Sequence, residues 1–276
     1  MIREAVLQDK EAVMALWLHA FGDTPEYMRL WFSEYYPKAK TLIMEDNQRI
    51  LGALQLLPVI LTVNKESHRG YYVGGVSVWE DVRHQKVGSL LMQAAAEHAK
   101  RDQKEFCILI ADVVGYYERF GYRPLSYRSV IDSCPAGERI MSRPVGEGDE
   151  NELLSLYRAF CKPYAAYQVR CAEDMLGAAR LERSSRGNCV FLQESEEILA
   201  MVAYDTWEDT LFVDEALWKN ERGKNLAIRF FHEFGKSKIS VRCGELLDFS
   251  KGTPSVMMLP LGDWSFPVNG YYNIVV

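Results

Sequence analysis

The chain has no Cys-x-x-Cys pair, no clustered histidines, and no apolar run approaching the ~20 residues that a membrane-crossing helix requires. Each absence removes a class of function. Cys107, Cys134, Cys161, Cys171, Cys189 and Cys243 are scattered, as are His19, His68, His84, His98 and His232. Nothing has the ligand spacing of a zinc site, so no metal is expected. Several cysteines lie in apolar runs such as Phe106–Leu109, which predicts buried free thiols rather than a disulfide framework. The net charge of −6 lacks the basic excess on which nucleic-acid affinity rests. Nucleic acid and membrane are therefore not expected as partners. The same charge mildly favours amine or cationic partners, although solubility explains it equally well. The start, Met1-Ile2-Arg3-Glu4, has no apolar signal region, which predicts a cytoplasmic protein.

What is present describes an ordinary globular chain. Apolar residues make up 48% and charged residues 25% of 276 residues, a length that suits two domains. Ile2–Val6 reads as a strand. Asp9 is placed to cap a helix with Val13, Leu16, Trp17 and Ala20 on its apolar face. Thr24-Pro25-Glu26 starts a second helix. Thr41–Met44 and Ile50–Leu57 flank the polar turn Asp46-Asn47-Gln48-Arg49 and predict a hairpin.

The organising stretch is Tyr72–Ala99. Val73, Val76, Val78 and Trp79 suit a buried strand, and a polar loop follows from Glu80 to Lys86. Leu90, Leu91, Ala94, Ala95 and His98 then recur at helical spacing. A strand breaking through a basic loop into a helix is an anion-binding device, because the first helical N–H groups have no internal partners. Gly88 and Ser89 allow close approach to the backbone, and Arg83 and Lys86 add charge.

Arg83-His84-Gln85-Lys86-Val87-Gly88 resembles the pyrophosphate-binding motif of the GNAT acetyltransferase superfamily, with Lys86 where the first Gly is usual. About thirty residues later, Tyr116-Tyr117-Glu118-Arg119-Phe120-Gly121-Tyr122 is similar to the family's Tyr-x-x-x-Gly-Phe/Tyr block. The second half repeats the first. Met141-Ser142-Arg143-Pro144 through Asp149 echoes Met1-Ile2-Arg3-Glu4 through Asp9 at constant offset. Cys189–Glu194 and Ile198–Val202 repeat the hairpin. The counterpart loop, Asn220–Asn225, keeps one glycine, with Asn225 where the helix is expected to open, and no second tyrosine block follows Lys238–Arg242. Gly270–Val276 reads as a closing strand. The resemblance implies an α/β (α+β) fold of two tandem GNAT-like domains, each a mixed, mostly antiparallel sheet flanked by helices. Residues 1–138 would be the catalytic domain and 139–276 a degenerate one that shapes the acceptor cleft or a homo-oligomer contact. The arrangement is similar to the first two domains of Eis-type acetyltransferases.

The resemblance further implies transfer of an acetyl group from acetyl-coenzyme A to a primary amine, on a small molecule rather than a protein, through a direct ternary complex. Arg83, His84, Gln85, Lys86, Val87, Gly88 and Ser89 would hold the pyrophosphate. Backbone groups of Val76, Ser77 and Val78 would face the acetyl and pantetheine, with Asp112 and Val113 also touching the donor. Tyr117 would protonate the leaving thiolate, since a phenol of pKa ~10 is a donor at neutral pH; the bland alternative is a packing tyrosine. Phe21, Asp23, Tyr27 and Trp31 would form an aromatic acceptor pocket with one carboxylate, or else pack an amphipathic helix into the core. The base is left open among Glu80, Asp81, Asp23 and water. The rival from another class is a non-catalytic acyl-coenzyme A sensor.

Overall fold

A computed structural model describes residues 1–132, 139–242, 252–262, 266–267 and 270–273. The expected boundary at 138/139 abuts 133–138, and Cys134, Cys243 and residues 274–276 of the expected closing strand lie outside the described residues. The first half runs β1 (Ile2–Glu4), α1 (Lys10–Phe21), α2 (Pro25–Leu30), β2 (Lys40–Asp46), β3 (Arg49–Val63), β4 (Glu66–Val78), α3 (Val87–Arg101), β5 (Phe106–Ile110), α4 (Val114–Glu118) and β6 (Arg123–Asp132). The second runs β7 (Ser142–Pro144), α5 (Glu150–Cys161), β8 (Ala166–Gln168), α6 (Ala172–Ser185), β9 (Asn188–Glu194), β10 (Glu197–Trp207), β11 (Thr210–Trp218), α7 (Glu221–His232), β12 (Lys238–Arg242), β13 (Thr253–Pro260) and β14 (Gly270–Tyr271).

Local chemistry accounts for the element ends, with two departures from expectation. Thr24 Oγ1 accepts the Tyr27 N–H at 3.1 Å and Pro25 occupies the first turn, as their order predicts. Asp9 does not cap α1. Its carboxylate accepts the Val6 N–H at 2.7 Å and pairs with both terminal nitrogens of Arg3, so it closes the turn before the helix instead. The repeat reproduces this to the atom, for Asp149 accepts from Gly146 N at 2.8 Å and pairs with Arg143 in the same bidentate way. The second departure is α7, which opens at Glu221 rather than at Asn225. Asn220 Oδ1 accepts the Gly223 N–H at 3.1 Å, so the second half's helix carries its own side-chain cap.

The strands form one mixed sheet in the order β1-β2-β3-β4-β5-β13-β6-β12-β11-β10-β9-β7, flanked by helices. The two halves trade strands. β13, from the second half, lies between β5 and β6, pairing Val256 with Ile110 and Met258 with Ile108. β6, from the first half, pairs with β12 through Val130↔Ser240 and Arg128↔Arg242. Met257, fully buried, therefore completes the first half's core with Leu42, Leu54 and Leu91. α3 covers one face of this sheet while α1 and α2 cover the other. Leu181 on α6 joins Trp17, Trp31 and Phe32 there, binding second half to first. Of the described cysteines, Cys107, Cys161 and Cys189 are buried free thiols, whereas Cys171 is exposed.

Two features of β4 prepare the site. Its parallel pairing with β5 ends at Tyr72↔Ile108, although β4 continues to Val78 and β5 to Ile110, so the strands part and leave a V-shaped gap. Against β3 the register slips between Ala53↔Ser77 and Gln55↔Gly74, a bulge that contains Gly75 and Val76. Gly75 has φ +60°, and a Cβ there would sit 2.1 Å from the Trp17 ring, so no other residue fits without displacing that indole.

Candidate active site

The gap opens onto a groove of about 760 Å³ at the start of α3, lined by Val76, Val78, Arg83, His84, Lys86, Val87, Gly88, Ser89, Val113, Tyr116, Tyr117 and Arg119. A turn at Glu80–Val82 lifts the chain out of β4, and His84 and Lys86 then take left-handed conformations, φ +71° and +63°. Lys86 stands where the resembling motif has Gly, and the backbone conformation explains that preference: Gly reaches it freely, whereas Lys pays roughly 1 kcal/mol or more. α3 has no side-chain cap, so its first N–H groups face the groove amid three exposed cations, Arg83, Lys86 and Arg119. This uncapped, cationic helix start fits a diphosphate. The capped start of α7 does not.

The two motifs touch here. A Cβ on Gly88 would lie 2.6 Å from the Tyr116 hydroxyl, and the Arg119 guanidinium stacks 4.2 Å over the Tyr116 ring. Gly88→Val is expected to push Tyr116 into the groove and weaken coenzyme A binding roughly tenfold or more, about 1.4 kcal/mol. Calorimetry of the folded variant checks this; unchanged affinity would remove Gly88 from the site. Of the residues predicted from sequence, Ser77 is buried in its pairing with Ala53 and Gln85 is exposed, and neither lines the groove.

Behind the groove lies a second cavity, of about 560 Å³. Phe21, Val76 and Tyr117 line both, so the two spaces meet at these side chains. Burial, then the neighbouring Tyr116 and Asp112, push the Tyr117 phenol up to about 12, keeping its proton in place at neutral pH. Phe21, Asp23, Tyr27 and Trp31 all reach this cavity, as does Asp112, which is exposed at its edge. Pocket wall and core packing prove compatible. Trp31 is almost fully buried, stacked on Tyr35 at 5.2 Å, with its Nε1 donating to Gln55 Oε1 at 2.8 Å. Trp17 Nε1 donates to Asp23 Oδ2 at 2.7 Å and fixes that carboxylate. Of the candidate bases only Asp23 lines the cavity, since Asp81 is held by Arg49 at 2.6 Å and Glu80 by Arg83 at 3.1 Å, both outside it.

The far wall comes from the second half, and its individual residues were not legible in the sequence. It includes Glu182 on α6, Asp214 and Glu215 on β11, Arg242 on β12, and Asn273. Arg170, whose side chain is fully buried, holds Glu215 at 2.9 Å and donates to the Asn273 carbonyl at 2.7 Å. Arg170→Met leaves Glu215 as a buried, uncompensated charge and is expected to cost about 3–5 kcal/mol. Denaturant unfolding measures this, and Arg170→Met/Glu215→Leu should recover most of the loss. A single variant as stable as the parent would contradict the pairing.

Glu182 differs from its neighbours in having no ion-pair or hydrogen-bond partner for its carboxylate among the described residues. Burial first, then Asp214, Asp205 and Glu215, raise its pKa from 4.5 to about 8, with Arg242 opposing. Between those values the folded protein holds a proton that the unfolded chain has released. Stability of the empty protein should therefore fall as pH rises from 4.5 to about 8, by up to roughly 1.4 kcal/mol per unit from this group. Glu182→Gln should flatten that slope in melts across the window. An unchanged slope would mean that the carboxylate is not desolvated.

Residues 1–125 match the family model described as an acetyltransferase (GNAT) domain. The first half is a GNAT acetyltransferase domain. Among solved structures, a probable N-acyltransferase of unknown function from Enterococcus faecalis V583 aligns over 95% of this chain and 72% of its own, at TM-score 0.70 and 13% identity. Eis1 from Mycobacterium abscessus aligns over 95% and 74%, at 0.59 and 13%. Saccharomyces cerevisiae N-myristoyltransferase, with bound myristoyl-CoA, aligns over 93% and 82%, at 0.59 and 7%. These identities speak to fold, and the fold they share is a tandem GNAT arrangement. No curated protein matches the sequence. Among the described residues no His, Cys, Asp and Glu group is placed to hold a metal, and no helix is long and apolar enough to cross a membrane.

Sequence reasoning missed Trp17, Arg119 and the individual residues of the second-half wall. Trp17 carried a signal, an indole one helical turn from Phe21. Arg119 lay inside a motif whose tyrosines drew attention first. Glu182 and Asn273 carried none, since α6 reaches the cavity by packing on α2, and Asn273 reaches it through contacts with Arg170, Asp214 and Glu215 far away in sequence.

Proposed function

We propose that the protein is an N-acetyltransferase that moves an acetyl group from acetyl-coenzyme A to a primary amine on a small molecule, directly within a ternary complex in the cytoplasm. What supports this most is the meeting of two unlike spaces at Phe21, Val76 and Tyr117: a cationic groove at an uncapped helix start, and an aromatic cavity rich in carboxylates. The donor supplies a thioester carbonyl already activated for acyl transfer. Its pyrophosphate would be held by the N–H groups opening α3 together with Arg83, Lys86 and Arg119. Beyond Tyr72 the edge of β4 that faces β5 has no strand beside it among the described residues, so backbone N–H groups near Val76 can receive the carbonyl oxygen and the charge that develops there. As the C–N bond forms and the C–S bond breaks, Tyr117 would deliver its proton to the departing sulfur, the attacking nitrogen would give up a proton to water, and the phenolate would be reprotonated from solvent. Asp23, fixed by Trp17, would hold the incoming amine against the aromatic wall. Residues 1–138 would thus carry the chemistry, and 139–276 would close the acceptor cavity.

The left-handed backbone of Lys86 weighs against a non-catalytic sensor, because the loop takes the shape that Gly would give it. Thiol release from acetyl-coenzyme A with a panel of primary amines tests the proposal. Amine-dependent release supports it. Binding of coenzyme A without release to any amine would turn the protein into a sensor.

A further inference from the structure

We propose that Trp17 is a positioning residue for the transfer. One edge of its indole sets the β4 backbone that receives the thioester carbonyl, and the opposite edge ties that setting to Asp23 on the acceptor side. This rests on the acetyl-transfer proposal and deepens it.

The argument begins at the bulge. Gly75 and Val76 lie between the pairs Ala53↔Ser77 and Gln55↔Gly74, and neither has a register partner on β3. On the other side, pairing with β5 has already ended at Tyr72↔Ile108. The backbone that faces the donor therefore has no ladder on either side among the described residues, and something else must hold its shape. The six-membered ring of Trp17 lies against it. Its Cζ3, Cε3 and Cη2 come within 2.1, 2.7 and 3.0 Å of the place a Cβ on Gly75 would take. Gly75 has φ +60°, which Gly adopts at little cost, and its missing side chain lets ring and backbone touch.

Trp17 is itself held. It is buried, with its ring centroid 5.0 Å from that of Trp31 and 5.8 Å from that of Phe32. Trp31 Nε1 donates to Gln55 Oε1 at 2.8 Å, and Gln55 pairs with Gly74 at the border of the bulge. The contacts close a circuit from Gly75 through Trp17, Trp31 and Gln55 to Gly74. Packed rings and one buried hydrogen bond leave such a circuit little freedom, so the bulge keeps its geometry before any donor arrives. The other end of the indole, Nε1, donates to Asp23 Oδ2 at 2.7 Å, and Trp17, Asp23 and Val76 all line the inner cavity. One rigid plane thus runs from the carbonyl site to the acceptor wall. A misplacement of about 1 Å between reacting groups costs on the order of 10²-fold in rate, which is what this plane prevents.

The test reads the carbonyl without turnover. Acetyl-coenzyme A labelled with carbon-13 at the carbonyl is bound to the protein with no amine present, and its isotope-edited infrared band is compared with that of the free thioester. In the parent protein the band should move to lower wavenumber, because a hydrogen bond to the oxygen weakens the C=O bond. In Trp17→Leu more than half of that displacement should be lost, while calorimetry gives a coenzyme A affinity within about threefold of the parent. Gly75→Ala reads the same contact from the strand and should lose it too. Should Trp17→Leu not fold, Gly75→Ala and the milder Trp17→Phe decide. With an amine acceptor, kcat should fall roughly tenfold or more in Trp17→Leu and in Gly75→Ala, with KM for acetyl-coenzyme A unchanged. The double variant should be no slower than Gly75→Ala alone, since the two residues share one contact. A band that stays displaced in the folded variants, or losses that multiply in the double variant, overturns the positioning role and leaves acetyl transfer standing. A bound parent band that is not displaced overturns it as well. Binding without turnover of any amine fails the acetyl-transfer proposal separately, and the band still decides whether Trp17 sets the carbonyl site. If acetyl-coenzyme A does not bind, both proposals fail together.

Discussion

Tyr117→Phe should lower kcat by roughly 10²-fold or more while leaving KM for acetyl-coenzyme A nearly unchanged. The ring stays, so its packing against Tyr116 at 5.1 Å and Tyr122 at 6.1 Å is preserved, and only the proton is removed. A thiolate leaving unprotonated is a poorer leaving group, which confines the loss to the chemical step. The sign of the pH dependence follows from burial. The phenol's pKa is raised from 10.0 to about 12, so the proton remains available across the whole neutral and mildly alkaline range. The parent enzyme should therefore show no falling limb from this group below about pH 11. Steady-state kinetics on both proteins, with dichroism to verify the fold, measure the effect. Unchanged kcat would return Tyr117 to a packing role.

Residues 1–132 expressed alone should not form a stable native domain. Cutting the chain there removes β13 from between β5 and β6 and strips partners from one edge of β5, both edges of β6 and the Leu61–Val63 end of β3, which pairs with β8. It also removes Met257 from beside Leu109 and opens a hole in a core otherwise closed by Leu54, Leu91 and Tyr122. Lost strand pairing, an exposed aggregation-prone edge and a core cavity together exceed the 5–15 kcal/mol that a domain typically has. Amide dispersion in a heteronuclear spectrum of the fragment reads this directly, with the full chain as reference. A dispersed spectrum from the isolated fragment would show that the exchanged strands are dispensable. Adding a separate 139–276 fragment should restore order if exchange is what holds the halves together.

The strand exchange marks the limit of what residue patterns convey. The two apolar runs Thr41–Met44 and Ile50–Leu57 predict a hairpin because the partners are adjacent and the polar turn between them is short. The groove was equally legible, since Arg83, Lys86, Gly88, Tyr116 and Tyr117 sit at fixed spacings around one helix start. β13 pairs with β5 across roughly 150 residues, and nothing in Val256-Met257-Met258 names its neighbour. Asp9 shows a subtler failure. Its position suits a helix cap, but the arginine six residues earlier competes for both carboxylate oxygens and wins. The residues of the cavity's far wall were hidden for the same reason as β13. Glu182 looks like any surface carboxylate on an amphipathic helix until α6 packs against α2 and α5 and takes it largely out of water.

In the proposed mechanism everything depends on the start of α3 gripping a diphosphate. Titration calorimetry of the full-length protein with coenzyme A and, separately, with pantetheine tests it most directly. One coenzyme A site in roughly the micromolar range is expected, at least about tenfold tighter than pantetheine, which lacks the diphosphate. No heat with coenzyme A, or equal affinity for both compounds, would contradict it.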